Sequence, residues 1–345
     1  MVGIPSARRT TWLTGPDESN SERIMGSESS PTPRSPQTQS GGRVCYFNGE
    51  IVPEAEATVP FRDRGFKYGD AVFDMTRTFG HKIFKLEAHI SRFYDSLRYV
   101  DIDPGMTEGE MAEKTMEVLE ANLHLLGPDD DYWVGQRISR GVDLVGGDMW
   151  ETAGGPNVII ECAPLPLKPR ARLYRDGIDV LVPTVRRVPP ESLSPRAKTH
   201  NYLNLIMADR EAKAQDPEAW AVLLDTRGFL TEGIGSNIFT IKNGVVYTPQ
   251  EQYVLGGISR ETAIEMAERI DVPVVTRDLD MFDAFTADEI FLTSTSLCIC
   301  GVRSFQGRQI GDGSAAGPIT KALMDAYADF VDYDWIGQYL KRLED

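Results

Sequence analysis

The sequence has few cysteines and no long hydrophobic run, and each absence excludes a class of protein. Four cysteines, Cys45, Cys162, Cys298 and Cys300, are scattered over 345 residues, so a disulfide scaffold is not expected. Cys298 and Cys300 alternate in an apolar run without a matching Cys/His cluster elsewhere, which favours a strand over a metal site. No apolar run approaches the roughly 20 residues that a membrane helix needs. A reducing cytoplasm is the expected compartment.

Positive charge is also scarce. The chain has 36 Lys and Arg against 52 Asp and Glu, which gives a formal net charge of −16. Such a surface repels nucleic acid and anionic lipid, so neither is expected as a partner. Arg8 and Arg9 are not followed by a hydrophobic stretch, and the N-terminus is therefore a poor export signal.

The composition along the chain predicts two domains behind a disordered segment. Residues 1–42 are rich in Ser, Pro, Gly and Thr, so they are expected to form a disordered N-terminal extension. Beyond them, strand and helix patterns alternate without the regular spacing of βαβ units, which predicts a mixed α/β fold of the α+β class. We expect a small N-terminal domain at 43–165, a Pro-rich linker at 166–172 and a larger domain at 173–345.

Local patterns predict several elements of the first domain. Asn48-Gly49 is a typical hairpin turn, and "AVFDMTRTFGHKIFKL" indicates two strands joined at Gly80-His81. Apolar residues recur at helical spacing in "LEAHISRFYDSLRYV", and residues 107–126 give a second amphipathic helix.

One lysine, Lys198, stands between a proline-broken loop and an apolar helical stretch in "SPRAKTHNYLNL", residues 194–205. Polar residues 199–202 follow it directly. A lysine that forms an imine has to lose its proton for part of the time, and burial near positive charge promotes that loss. A solvated surface lysine is the commoner situation, so this segment indicates the chemistry only weakly by itself.

Two more segments suggest ligand contacts. Glu232 in "LTEGIGSNIF" lies beside glycines, where a carboxylate could hold a proton on a heterocyclic nitrogen; a turn glutamate in water is the alternative. In "GGISRET", the amides of Ile258 and Ser259 would open a helix and face an anion such as phosphate. Ordinary helix capping by Ser259 is an equal alternative.

Small hydroxyl residues at a strand end complete the set. "TSTS", residues 293–296, follows the strand "DEIFL" and offers Thr295 and Ser296 as contacts, although such residues are common where strands end. The second half of the chain thus contains an anion site, an acid that could pair with a ring nitrogen, and a lysine flanked by a proline-broken loop and polar residues. Together they indicate pyridoxal 5'-phosphate, whose protonated ring is an electron sink.

In this combination the chain resembles the class IV aminotransferases, the fold-type IV pyridoxal-phosphate enzymes. The resemblance runs from about residue 44 to 330 through the motifs "RGFKYGDAVFD", "HISRFYDSL", "KTHNYLN", "TEGIGSNIF", "GGISRETAIEMA" and "STS". It implies two domains with the cofactor between them, an amino donor and a 2-oxo acid acceptor as small-molecule partners, and a homodimer.

Carried over residue by residue, the resemblance implies the following roles. Lys198 binds the cofactor and moves the substrate proton, and Glu232 pairs with the ring nitrogen. Arg92 contacts the phosphate. The remaining cofactor contacts implied are Tyr202, Ile258, Ser259 and Thr295, and the substrate contacts implied are Tyr68, Arg140 and Ser296.

The substrate is less clearly indicated. Branched-chain enzymes often read "YGxxVFEGIR" where this chain reads "YGDAVFDMTR", so Asp74 and Met75 replace Glu and Gly. Arg140 resembles a carboxylate-binding arginine of D-amino-acid enzymes, and a structural ion pair is an equal alternative for it. An aminotransferase for aliphatic, branched-chain amino acids is the favoured interpretation. A D-amino-acid or (R)-selective amine transaminase is the second, and an aminodeoxychorismate lyase-like enzyme the third. A non-catalytic cofactor-binding protein is disfavoured by the intact Lys198 and Glu232.

Overall fold

The computed structural model describes residues 42–344. The predicted disordered extension, residues 1–42, therefore lies almost wholly outside the described residues. In chain order, the elements of the first half are β1 (Val44–Phe47), β2 (Glu50–Pro53), α1 (Arg64–Tyr68), β3 (Ala71–Phe79), β4 (Lys82–Ile83), α2 (Leu86–Val100), α3 (Glu108–Asn122), β5 (Tyr132–Ser139), β6 (Val142–Asp143), β7 (Thr152–Ala153) and β8 (Asn157–Pro164).

The second half alternates between short helices and strands. Its elements are α4 (Leu167–Asp176), β9 (Ile178–Leu181), α5 (Leu203–Gln215), β10 (Trp220–Leu224), β11 (Leu230–Gly233), β12 (Asn237–Lys242), β13 (Val245–Thr248), α6 (Ile258–Arg269), β14 (Val274–Thr276), α7 (Met281–Phe285), β15 (Glu289–Ser294), β16 (Cys298–Phe305), β17 (Arg308–Gln309), α8 (Pro318–Val331) and α9 (Trp335–Leu340). Within residues 42–344, no helix has the length and apolarity that a membrane span requires.

The first sheet has six strands in the order β2-β1-β8-β5-β3-β4. Each consecutive pair in this sheet is antiparallel. Helices α2 and α3 cover one face, where Ile90, Phe93 and Val118 pack against Val134 and Ile160 of the strands. The apolar period of "LEAHISRFYDSLRYV" thus forms a buried stripe, as the sequence predicts.

The second sheet closes on itself. Its strands follow the order β11-β10-β9-β16-β15-β12-β13-β14, and β11 also pairs with β12. The first six strands therefore form a ring, and a single residue pair, Glu232 with Asn237, closes it. This closed sheet has its own hydrophobic cluster, which includes Phe239, Phe291 and Trp335. Glu232 is consequently fixed at the seam of the ring.

The segment expected to be the linker, 166–172, is helical in the structure. Helix α4 begins at Leu167 with Pro166 as its N-cap. Pro166 and Pro169 both fall at the start of the helix, where backbone N–H groups have no acceptor in the helix, so proline costs no hydrogen bond there. Leu167 and Leu173 pack into the cluster of the closed sheet, and this burial holds α4 against the second half of the molecule.

Candidate active site

The Lys198 segment belongs to the second half of the chain but hydrogen-bonds to the first sheet. The backbone N–H of Phe73 donates to the Lys198 carbonyl at 2.9 Å, and the N–H of His200 donates to the Ala71 carbonyl at 2.9 Å. The Lys198 amide donates to Ser96 Oγ of α2 at 3.0 Å. The segment is therefore held along β3 by an antiparallel bridge between Val72 and Thr199, which fixes the backbone from which the Lys198 side chain projects.

The amine of Lys198 lies among aromatic groups. Its Nζ is 3.3 Å from the Tyr202 hydroxyl and 4.5 Å from the centre of the Phe73 ring. Phe73 also packs edge-on against Tyr202, with ring centres 5.3 Å apart. Among residues 42–344, no carboxylate forms an ion pair with this amine. Lys198 is thus partly buried, and its Nζ has no carboxylate partner among the described residues.

Arg92 of α2 is oriented by a buried aspartate. Its Nε and Nη2 donate to the two carboxylate oxygens of Asp74 at 2.9 and 2.8 Å, and its Nη1 donates to the Gly256 carbonyl at 2.8 Å. A guanidinium has five N–H donors, so one N–H on Nη1 and one on Nη2 are left for an anion. Asp74, which replaces the glutamate of the branched-chain motif, thus serves to hold the arginine.

His89 completes this buried group. Its Nδ1 lies 2.7 Å from Asp74 Oδ1. Burial alone would raise the pKa of Asp74, but the positive charge of Arg92 and the hydrogen bond from His89 hold it well below the usual aspartate value. Burial lowers the pKa of His89, so the imidazole is neutral at pH 7 and its Nδ1–H donates to the carboxylate.

The N-terminus of α6 faces the same region. Gly257 is the N-cap residue, and Ile258 and Ser259 are the first two helical positions. Their N–H groups have no acceptor within the helix, and the helix dipole favours an anion there. A Cβ on Gly257 would lie 2.3 Å from Asn237 Oδ1, so only glycine allows the turn to pack this closely on the ring of strands.

Glu232 is held by two contacts at the seam of the closed sheet. Its Oε1 accepts from Arg187 Nε at 2.8 Å, and its Oε2 accepts from the Leu255 amide at 2.8 Å. The side chain is buried. A carboxylate fixed in this way presents its remaining lone pairs in a defined direction.

Two cavities meet at Lys198. The first is lined by every residue that the sequence analysis assigns to the cofactor: Arg92, Lys198, Tyr202, Glu232, Ile258, Ser259 and Thr295. The second has a volume of about 500 Å³. It shares Lys198, Tyr202 and Thr295 with the first cavity and adds Ser296, which the sequence analysis assigns to the substrate.

Two other predicted substrate residues lie outside both linings. Arg140 donates to Asp70 at 2.8 Å and to the carbonyls of Val100 and Asp101 at 2.6 and 2.7 Å, which is the structural ion pair considered as its alternative. Tyr68 is 52% exposed and stacks with Arg64 and Lys67. Within this chain neither side chain reaches Lys198.

Sequence reasoning did not find several lining residues. Arg187 lies in the loop beyond β9, and no sequence motif marks it. Its backbone N–H donates to the Leu224 carbonyl of β10 at 2.9 Å, and this long-range contact brings its side chain to Glu232. Asn237 is a residue type common in turns and caps, yet here it lines the first cavity and its Nδ2 donates to the Leu255 carbonyl at 3.0 Å. Its place opposite Glu232 in a strand pair could have been inferred only from the closure of the sheet.

The geometry agrees with the comparisons with known proteins. The family model described as amino-transferase class IV matches residues 71–305. The chain belongs to the class IV aminotransferase family. It is 38% identical over 285 residues to a Methanocaldococcus jannaschii protein provisionally named as a branched-chain-amino-acid aminotransferase, and the match covers 82% of this chain and 95% of that protein.

Two further relatives support the same assignment. The branched-chain-amino-acid aminotransferase of Escherichia coli K12 is 30% identical over 289 residues, covering 82% of this chain and 91% of that protein. The crystal structure of the branched-chain amino acid aminotransferase from Thermobaculum terrenum in its PLP-bound holo form superposes with a TM-score of 0.74 at 26% identity, over 88% and 98% of the two chains. This class IV chain is thus a pyridoxal-phosphate-dependent aminotransferase with the fold-type IV architecture.

The residues present fit pyridoxal phosphate. The first cavity offers an arginine with two unused N–H groups, two helix-terminal amides, one carboxylate and one lysine, which match the cofactor's phosphate, ring nitrogen and aldehyde. Ser236 and Thr293 also line this cavity, and their hydroxyl oxygens are buried without a hydrogen-bond partner among the described residues. Such orphaned hydroxyls are explained by a polar ligand beside them.

Proposed function

We propose that this aminotransferase moves an amino group from an aliphatic amino acid of the branched-chain type to a 2-oxo acid, with Lys198 as the catalytic residue. One observation carries the proposal. The Lys198 side chain lines both a polar cavity that fits the cofactor and a second cavity whose walls include large apolar side chains. A lysine at this junction can reach the cofactor on one side and the substrate Cα on the other.

The first cavity would hold the cofactor at three points. Arg92 and the amides of Ile258 and Ser259 would bind the phosphate, with Thr295 at the edge. Glu232 would accept the hydrogen bond of the protonated ring nitrogen, and Arg187 would keep its carboxylate in place. Tyr202, 3.3 Å from Lys198 Nζ, would lie near the phenolic oxygen of the cofactor.

Lys198 would carry the proton during the reaction. When bound, pyridoxal phosphate supplies a protonated ring that withdraws electrons from the substrate Cα. The amine of Lys198 would then take the proton from the substrate Cα and deliver it to C4′, the aldehyde carbon of the cofactor. General acid–base transfer of this kind contributes about 10²–10⁴-fold in rate. The two halves of the reaction, with amino donor and then 2-oxo acid, would follow one another by a ping-pong mechanism.

The walls of the second cavity favour an aliphatic side chain. They include Phe73, Met75, Trp133, Trp220 and Ile234. Burying a branched aliphatic side chain against such walls stabilises its complex by about 1.5–3 kcal/mol. The names of the relatives agree with this substrate class. Ser296, in the same lining, would contact the polar end of the substrate.

We also propose a homodimer. Large apolar side chains are exposed in three segments that lie side by side: residues 59–68, the loop 144–150 and the first turn of α5. They include Phe61, Phe66, Val145, Trp150 and Leu203, which are between 69% and 75% exposed. The segments are joined by Arg64 stacking on Trp150 and by the Asn201 side chain donating to the Gly69 carbonyl at 3.0 Å.

An exposed apolar surface of this extent indicates an interface, and we assign it to a second copy of the chain. Tyr68 lies in the same surface, so a substrate role for Tyr68 would be exercised at or across that interface. Arg140 is held by Asp70 and by the carbonyls of Val100 and Asp101, so we propose a structural role for it in place of a substrate contact.

The domain boundaries and the compartment stay proposals of the same kind. Separate hydrophobic clusters in the first sheet and in the closed sheet support two domains, for which we propose 43–165 and 173–345. Leu165 and Leu167 belong to the cluster of the closed sheet, so the segment 166–172 packs with the larger domain. The four cysteines are free and buried, which supports a reducing cytoplasm.

A donor screen tests the proposed function. The purified holoenzyme is mixed with L-leucine, D-alanine or (R)-1-phenylethylamine, and loss of the visible cofactor absorbance is followed. We expect L-leucine to react fastest, and Lys198→Ala to abolish turnover. Lys213→Ala is a matched control, since Lys213 lines the second cavity but is paired with Asp209.

Other outcomes of the screen would contradict the proposal. Preference for D-alanine or the (R)-amine would identify the alternative transaminases. Release of pyruvate from aminodeoxychorismate, with no donor reacting, would identify a lyase. Full activity of Lys198→Ala would show that Lys198 is not required for the reaction.

A further inference from the structure

One strand pair at the second cavity combines a methionine with a glycine. Met75 of β3 lies directly opposite Gly135 of β5 in the antiparallel register, and Met75 lines the cavity. A Cβ added to Gly135 would lie 2.6 Å from Met75 Cε and 3.0 Å from Met75 Sδ. The thioether therefore lies across the neighbouring strand, in the space that a side chain at position 135 would take.

The backbone of Met75 is held on both sides. Its N–H donates to Asp74 Oδ1 at 2.7 Å, and its carbonyl accepts from Thr295 Oγ1 at 3.0 Å. Asp74 is fully buried, and Thr295 lines both cavities. A change of space at position 75 or 135 is therefore taken up by the Met75 side chain, because the strand itself cannot shift without breaking these contacts.

The neighbours of Met75 leave two places for its thioether. Side chains alternate along a strand, so Phe73 and Arg77 lie on the same face of β3 as Met75. Phe73 packs against Tyr202 with ring centres 5.3 Å apart, and Arg77 is buried. Both sides along the strand are thus occupied. The thioether can lie over Gly135, as it does in the structure, or extend into the cavity.

Met75 also lies close to the reacting amine. Lys198 Nζ is 4.5 Å from the centre of the Phe73 ring, and Met75 is two residues further along β3. Two residues along a strand correspond to about 7 Å. A substrate whose Cα lies beside Lys198, and whose side chain extends along β3, meets Met75 with the end of that side chain.

We propose that Met75, folded over Gly135, sets the upper size limit of the substrate side chain and so favours branched aliphatic over aromatic groups. This inference rests on the proposed function, since it names the residue that determines specificity in the same cavity. A methionine side chain is unbranched and flexible, so its position depends on the open space over Gly135. One methylene in an apolar pocket changes discrimination by about 10- to 200-fold, and a thioether that moves or is removed exceeds that volume.

Binding of substrate analogues without an amino group tests the inference apart from turnover. 4-Methylvalerate and 3-phenylpropionate carry the side chains of leucine and phenylalanine, and both are titrated into the holoenzyme by calorimetry. We expect the ratio of the Kd of 3-phenylpropionate to that of 4-methylvalerate to fall about 10-fold or more in Met75→Ala. The change should come from tighter binding of 3-phenylpropionate.

Gly135→Ala should act in the opposite direction. Its methyl group displaces the thioether into the cavity, so the Kd of 4-methylvalerate should rise about 10-fold, whereas that of propionate should change less than threefold. The same replacement made in Met75→Ala should alter the Kd of 4-methylvalerate less than threefold, because no thioether is left to displace. Such coupling between two positions measures their direct interaction.

Met116→Ala is the matched control for the loss of a methionine side chain. Met116 lies on α3 and is partly buried against the cluster of the first sheet. Its replacement should leave the Kd ratio as in the wild type. An unchanged ratio in Met75→Ala would overturn the inference, and so would an equal effect of Gly135→Ala with and without Met75. Met75→Ala against this control decides the inference even where Gly135→Ala does not fold.

Half-reactions separate this inference from the proposed function. Leucine and phenylalanine are supplied as the enantiomers that the wild type accepts, and kcat/KM is measured for cofactor conversion. We expect the preference for leucine over phenylalanine to fall about 10-fold or more in Met75→Ala. A wild type inert to all amino donors would refute the proposed function, and the analogue titrations would still decide the role of Met75.

Discussion

Replacement of Asp74 by asparagine gives the sharpest test of how Arg92 is held. Asp74 is fully buried. It accepts from Arg92 at 2.9 and 2.8 Å and from His89 at 2.7 Å. Asparagine removes the charge and turns one acceptor into a donor that faces another donor. Breaking a buried ion pair from one side costs about 3–5 kcal/mol, so we predict a loss of about 3 kcal/mol in the free energy of unfolding.

Asp179→Asn provides the matched control. Asp179 accepts from Arg303 at 3.0 and 2.6 Å, but the Arg303 side chain is 46% exposed. Exposed pairs contribute about 0.2–1 kcal/mol, so this variant should lose less than about 1 kcal/mol. Urea unfolding of the cofactor-free proteins at pH 7 measures both. If Asp74→Asn lost no more than Asp179→Asn, the buried pair would not carry the stability assigned to it.

The pH dependence of the same comparison follows from the direction of the pKa shift. The pKa of Asp74 lies below its ordinary value of 3.8, so the stability that the carboxylate contributes is present above pH 3.8 and is lost as the pH falls below it. The difference between the wild type and Asp74→Asn should therefore be the same at pH 5 and pH 8. A difference that changes between those values would show that a group of this buried cluster, Asp74 or its partner His89, titrates there.

Three further predictions address the cofactor, the lysine segment and the proposed dimer. Arg92→Ala should lose cofactor faster on dialysis than the control Arg98→Ala. Arg98 lies on the same helix, and its side chain is 62% exposed. Equal cofactor retention in the two variants would contradict a phosphate contact by Arg92. Burial and the charge of Arg137 lower the pKa of His200 to about 4, so wild-type stability should fall as the pH drops from 6.5 toward 4, where only the unfolded chain takes up the proton. The loss of unfolding free energy between pH 8 and pH 5, measured by urea unfolding, should be smaller in His200→Phe than in the wild type. An equal loss in both proteins would contradict the reasoning. Phe66→Glu should convert a dimer to a monomer of 38.4 kDa by light scattering, whereas Phe282→Glu, at a site that is 73% exposed outside the apolar surface, should not; a monomeric wild type would contradict the proposed interface.

The family, the cofactor and much of the secondary structure could be predicted from the sequence. Helix α2 and strands β3 and β4 follow from apolar periodicity and a glycine turn, because these signals depend on residues close together in the chain. Lys198, Glu232 and the start of α6 stand in short motifs for the same reason. Each motif places its functional atom relative to its own backbone, so order and spacing were enough to suggest one cofactor site.

The tertiary structure decided which residues surround those motifs. Pairing of the Lys198 segment with β3, the closure of the second sheet at Glu232 and the burial of Asp74 beside Arg92 are contacts between residues far apart in the chain. The placement of Arg170 beside Trp133 and Trp220 has no signal in the Pro-rich stretch, which forms a helix where a linker was expected. Local sequence sets the conformation and chemistry of a segment, whereas charge pairing and burial depend on neighbours that only the folded chain supplies.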